Sequence, residues 1–241
     1  MGEMAAAAAA AIGHPFVAVT GRRWPGMQSL VEGASLHLIA PGPTTRLGIA
    51  AGVRLGGHAA VTVVDRVPRA AEVDPGCLAV TTSAHCAAAA ALDGWSVVQP
   101  WRGADIAPLL DAAARPAVLV LAAATDVDVP APAPTPRPVR DWADGHLATL
   151  IASGPAVALM VRLSQRLLTR GVEVAAVERA ILTSPQHAPL AGGTHLLVAG
   201  ADTGALVRQG HWPDSPVHAV PLSGATEADL VGAVLALVPA A

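Results

Sequence analysis

Leu47-Gly-Ile-Ala-Ala-Gly-Val-Arg-Leu-Gly-Gly-His58, followed at once by Ala59-Ala-Val-Thr-Val-Val64, decides how the chain is read. The first part mixes helix formers with small residues and stops at paired glycines, a common ending for a helix. The second is a short apolar run rich in β-branched residues, suited to a strand buried on both faces of a parallel sheet. Gly48, Ala50, Ala51 and Gly52 leave the helix almost bare, so another helix can approach it closely. A small-residue helix feeding a buried strand is the repeating step of an α/β fold.

The same alternation extends in both directions. Upstream, Gly2 to Ala11 is helical by propensity. Pro15-Phe-Val-Ala-Val-Thr20 and Ser35-Leu-His-Leu-Ile-Ala40 read as strands, separated by a loop from Gly21 to Gly33. Ala40-Pro-Gly-Pro43 then leads into a helix expected from Thr45 to Leu55. Downstream, strands are expected at Gly76–Thr81, Trp95–Gln99 and Ala117–Leu121, with helices at Ser83–Leu92 and Gly103–Ala114. Pro130, Pro132, Pro134, Pro136 and Pro138 form an extended, linker-like segment. Beyond it come strands at His146–Ala152, Val172–Val177, Thr194–Ala199 and Val217–Leu222. Helices are expected at Pro155–Arg170 and from Thr226 to Val238, the last with Asp229 in its first turn. The predicted fold class is α/β with two domains, each a mostly parallel sheet with helices on both faces. The expected boundaries are residues 1–125, a Pro-rich linker at 126–141, and residues 142–241.

Composition works mainly by exclusion. The 241 residues contain no Lys, Asn or Tyr and carry a net charge of −3. Without lysine there is neither a Schiff base nor a Walker-type phosphate loop. The arginines are scattered, which argues against a nucleic-acid partner. The alanine run Met4–Ile12 is too short to span a bilayer and reads as a buried or interface helix, with no membrane role. Cys77 and Cys86 form no CxxC pair and fit a reducing, cytoplasmic setting. His187, His195, His211 and His218 lack helical pairing with an acid, so no metal site is expected from them. Gly200-Ala-Asp-Thr-Gly204 could cradle an anion, but a simple turn is the plainer reading. Trp24, Trp95, Trp101, Trp142 and Trp212 read as core or interface anchors.

Taken in order, these units resemble the C-terminal half of a transketolase-like thiamine diphosphate enzyme. The strand, loop and helix from Leu36 to Gly57 resemble its pyrimidine-binding domain. Gly94-Trp-Ser-Val-Val-Gln-Pro100 and Arg115-Pro-Ala-Val-Leu-Val120 resemble the end of that domain. His146-Leu-Ala-Thr-Leu-Ile-Ala-Ser-Gly154 and Arg170-Gly-Val-Glu-Val-Ala-Ala-Val177 resemble the start of the family's C-terminal domain. The diphosphate-binding half, with Gly-Asp-Gly and a downstream Asn, is absent. The resemblance therefore implies a separate N-terminal, diphosphate-binding partner subunit that holds thiamine diphosphate and Mg²⁺. It also implies self-association through the pyrimidine-binding domain and a heterotetramer.

The family's activating glutamate is expected in the loop before the small-residue helix. Pro41, Gly42, Pro43, Thr44 and Thr45 stand there, and none is acidic. These five residues are the expected cofactor contacts, with Glu32 the nearest acid upstream. The segment that packs aromatics against the pyrimidine in the family is reduced to Asp65-Arg-Val-Pro-Arg69. His85, in Ser83-Ala-His-Cys86, is the expected substrate contact by resemblance; otherwise it is a helix-start histidine. Leu121-Ala-Ala-Ala-Thr125 lacks the family's phosphate-binding arginine. The implied activity is transfer of a two-carbon ketol unit by a split enzyme. Two alternatives stay open: a non-catalytic scaffold, and a β-type subunit related to 2-oxo acid dehydrogenases.

Overall fold

The computed structural model describes residues 1–24, 26–82, 86, 89–91, 93–122, 137–183, 195–199, 217–220 and 227–237. The helices are α1 (Gly2–Ile12), α2 (Gln28–Glu32), α3 (Pro43–Leu55), α4 (Ile106–Ala112), α5 (Ala156–Leu168) and α6 (Glu227–Leu237). The strands are β1 (Phe16–Thr20), β2 (Leu36–Ile39), β3 (Ala59–Val63), β4 (Leu78–Thr81), β5 (Ser96–Val98) and β6 (Ala117–Val120), then β7 (Val139–Ala143), β8 (Ala148–Ala152), β9 (Val174–Arg179), β10 (His195–Ala199) and β11 (Val217–Val220). Residues 89–91 are also helical.

Two sheets result, as expected for a two-domain α/β chain. The first is six-stranded and parallel, in the order β2-β1-β3-β4-β6-β5. The second is five-stranded, in the order β11-β10-β8-β9-β7. It is parallel except for β7, which runs antiparallel to β9. Strands β1, β4, β6 and β8 are buried along their whole length, which is why they read as unbroken apolar runs. On one face of the first sheet, Met4, Ala5 and Ala8 of α1 pack with Leu30 of α2 and Leu109 of α4. The alanine run is thus a core helix. On the other face, Leu47 of α3 packs with Val64, Ala90 and Trp95. No helix of the described residues is long and apolar enough to cross a membrane.

Several boundaries differ from the sequence reading. Strand β7 (Val139–Ala143) forms where the 126–141 linker is expected to end, because it pairs antiparallel with β9. Gly21 to Gly33 is not all loop, because α2 forms within it and buries Leu30 and Val31. Helix α3 starts at Pro43 rather than Thr45. Proline suits the first helical position, and Gly42, at φ 62°, makes the left-handed turn into it. Gly103 to Ala114 divides into a 3₁₀ turn at Gly103–Asp105 and α4, which ends at Ala112. This late start puts Pro108 in the first turn of α4, where its missing N–H breaks no helical bond.

The two sheets are joined through the edge strand β5. After β9 the chain runs beside β5, with Val98 and Ile181 forming an antiparallel bridge. Gln99 N donates to Ala180 O at 2.7 Å, and Leu182 N donates to Val97 O at 2.9 Å. Beneath this seam lies a buried ion group. Arg140 Nη2 donates to Asp105 Oδ2 at 3.0 Å and to Glu178 Oε1 at 3.1 Å. Trp142 Nε1 donates to Glu178 Oε2 at 2.9 Å. The Trp101 and Trp142 rings meet edge to face beside it, at 5.3 Å.

Candidate functional site

In the first sheet the chain leaves β1 for β2 on one side, then crosses to β3 on the other. Parallel sheets bind ligands where the strand order reverses, outside the carboxyl ends of the strands. A cavity of about 640 Å³ lies at that place. Gly21, Arg22, Arg23 and Trp24 line it after β1; Ala40, Pro41 and Gly42 after β2; Val64 and Asp65 after β3; Thr81 and Thr82 at the end of β4.

Arg46 holds these walls together. It sits in the first turn of α3, is only 8% exposed, and lines the cavity. Its Nε donates to Gly42 O at 3.0 Å and its Nη1 to Val63 O at 2.6 Å. Its Nη2 stands 3.6 Å from Asp65 Oδ1, a carboxylate otherwise 85% exposed. Two hydrogen bonds thus fix the guanidinium plane against the ends of β3 and the Pro-Gly-Pro loop. Nearby, Thr20 Oγ1 and His37 Nε2 lie 2.7 Å apart, and Trp24 meets the His37 ring edge to face.

A second cavity, of about 800 Å³, lies on the other side of Asp65. Pro43 and Thr44 line it, with Arg66, Val67, Pro68 and Arg69 opposite. Trp95 Nε1 donates to Pro68 O at 2.7 Å and pins that segment. Glu72 and Asp93 complete the wall.

The five expected contact residues are therefore divided. Pro41 and Gly42 line the first cavity, Pro43 and Thr44 the second, and Thr45 is exposed and lines neither. His85 lies outside the described residues, as do Gly200–Gly204, His187, His211 and Trp212. The described residues hold no group of three or more His, Cys, Asp or Glu able to bind a metal. Helix α3 has no acid in its first turn, and Glu32 is exposed at the end of α2. Asp65 is the acid common to both cavities, and it faces a cation. The site does not fit the activating step inferred for thiamine diphosphate, because Pro41–Thr45 supply no carboxylate. Arg46 escapes sequence reading because its meaning depends on strand ends far away in the chain. Its place three residues after Pro43 is the available clue, since that spacing turns a helical side chain back towards the first turn.

No protein-family profile matches the sequence, and no curated protein matches it. Solved structures do. One, a split gene transketolase in an inactive beta4 tetramer, is 16% identical with a TM-score of 0.69, covering 97% of this chain and 97% of that one. Another is a 2-oxoglutarate:ferredoxin oxidoreductase from Magnetococcus marinus with 2-oxoglutarate, coenzyme A and succinyl-CoA bound. It is 12% identical with a TM-score of 0.65, and the match covers 98% of this chain and 64% of that one. At these identities the likeness is one of fold. This chain has the fold of a transketolase-like C-terminal half.

Proposed function

We propose that this chain is the C-terminal subunit of a split transketolase-like enzyme. Its partner is an N-terminal-type subunit that holds the diphosphate of thiamine diphosphate and Mg²⁺. The reaction assigned to the complex is transfer of a two-carbon ketol unit; the coenzyme would supply a stabilised carbanion, and its activating acid would have to come from outside Pro41–Thr45. This chain contributes one wall of the cleft, at the carboxyl ends of β1, β2 and β3. Residues 1–125 are the pyrimidine-binding-like domain, 126–141 the linker and 142–241 the C-terminal-like domain. His85 keeps its role as a proposed substrate contact. The single supporting observation is fold agreement along 97% of both chains with a split transketolase.

Self-association fits the same reading. Gly48 and Gly52 lie on one exposed face of α3, and a Cβ at either would meet nothing within 4 Å. Leu55, on the same helix, is 84% exposed. A bare helix face with a free leucine suits close helix–helix contact with a second copy.

The second reading, a scaffold without chemistry, is favoured by Pro43 and the absence of acid from the first turn of α3. Co-expression with a partner containing Gly-Asp-Gly and a downstream Asn tests both. A complex that binds thiamine diphosphate and transfers a ketol unit supports the enzyme. A stable complex without turnover supports the scaffold. A chain that captures no such partner removes both readings.

A further inference from the structure

We infer that the crevice at the ends of β1, β2 and β3 is an anion site, built for a small ligand with a dianionic head such as a phosphate monoester. Charge is the first argument. Arg22, Arg23 and Arg46 line the cavity against one carboxylate, Asp65, a formal excess of +2 (3 − 1). Fixation is the second. Arg46 is 8% exposed, and its two hydrogen bonds to Gly42 O and Val63 O hold the guanidinium in one plane. With Nε and Nη1 engaged, Nη2 is left to meet an oxyanion, and a guanidinium already held in place loses little entropy in doing so. The third is a displaceable counter-ion. Asp65 stands 3.6 Å from Arg46 Nη2, beyond hydrogen-bond length, and its side chain is 85% exposed. It can swing into water when a stronger anion arrives. Gly42, the N-cap of α3, also borders the cavity, so the positive end of the helix dipole adds to the same field. Trp24, Met27 and Ile39 provide an apolar wall for the organic part of the ligand.

The anion site needs no partner subunit, and its charge is opposite to the one the resemblance implies. Where that resemblance calls for a carboxylate, the cavity presents a cation.

The test uses the full chain alone, with inorganic phosphate as the probe and acetate as the monoanionic control, by calorimetry and thermal shift. Saturable phosphate binding, clearly stronger than acetate binding, is expected. R22S/R23S replaces two exposed residues and leaves the core intact; it weakens phosphate binding about tenfold or more. D65N removes the competing carboxylate and tightens binding about threefold, an effect a purely structural role would not produce. The inference is overturned by no saturable binding in the wild type and D65N, by equal affinity for acetate, or by unchanged binding in R22S/R23S. Because no partner is present, its failure leaves the split-enzyme reading standing, and failure to capture a partner leaves the anion site standing.

Discussion

Arg46 ties two stretches of chain together, bonding to Gly42 on one and to Val63 on the other, where it also faces Asp65. Truncating it removes the side-chain donors to Gly42 O and Val63 O and leaves a void at the base of the crevice, while Gly42 O keeps the Arg46 backbone N–H. Arg46→Met should therefore lower the unfolding free energy by about 2–4 kcal/mol, measured by urea denaturation. The two thiols make a contrasting case. Cys77 is 1% exposed and Cys86 3%. Burial pushes both thiols up from their ordinary value, with Asp74 adding to the rise at Cys77. Neither is a ready nucleophile. Both should resist a thiol reagent at neutral pH in the native chain and react together once urea unfolds it. Rapid native labelling of either would contradict the burial. Gly154 is a third case, at φ +52°, where a Cβ would come within 2.8 Å of Gln99 Cγ. Ser153 Oγ donates to Gln99 Oε1 at 2.8 Å beside it, so there is no slack. Gly154→Ala should cost about 1–3 kcal/mol in thermal unfolding.

Among the elements, α3 carries the most information. Its inner side buries Arg46, Leu47 and Ala50, while Gly48 and Gly52 look outwards. In a free monomer these glycines only weaken the helix. Gly48→Ala should stabilise the isolated chain by about 0.5–1 kcal/mol, since nothing stands within 4 Å of the added methyl. Under the proposed self-association, Gly48→Phe should leave the fold unchanged by circular dichroism yet keep the chain monomeric in light scattering. Persistence of the oligomer in Gly48→Phe would move the contact to another face. The glycines at the end of α3 and the apolar run of β3 were readable because helix stops and doubly buried strands leave local signals. Helix α2 was not. Its five residues lack enough periodic turns to show, and it forms because Leu30 and Val31 find the core.

At the scale of the molecule, the Asp105–Arg140–Glu178 group joins the 3₁₀ turn before α4 to β7 and β9, across the two domains. The charged side chains are all 1% exposed or less. Burial pushes the Glu178 carboxyl above its ordinary 4.5, while the Arg140 guanidinium and the Trp142 N–H pull it down. A carboxyl whose folded value is raised holds its proton more readily in the folded chain. Its contribution to stability is complete below about pH 4.5 and is lost as the pH rises through the folded value. Glu178→Gln is neutral throughout and should remove that slope from urea midpoints recorded between about pH 4 and 7. An unchanged slope would assign the pH dependence to other groups.

The sequence by itself determined the α/β class, the two sheets and the strand order's raw material, because buried parallel strands must be apolar and helices must stop at glycine or proline. It also determined that no acid stands between Ala40 and Arg46. Only the tertiary structure decided the sign of the crevice. The Arg22–Arg23 pair, Arg46 and Asp65 are about twenty residues apart in the chain, and their common field exists because the strand order reverses at β1 and brings the carboxyl ends together. Local spacing carries periodicity and caps; electrostatic sign depends on distances through space, and those are set by packing.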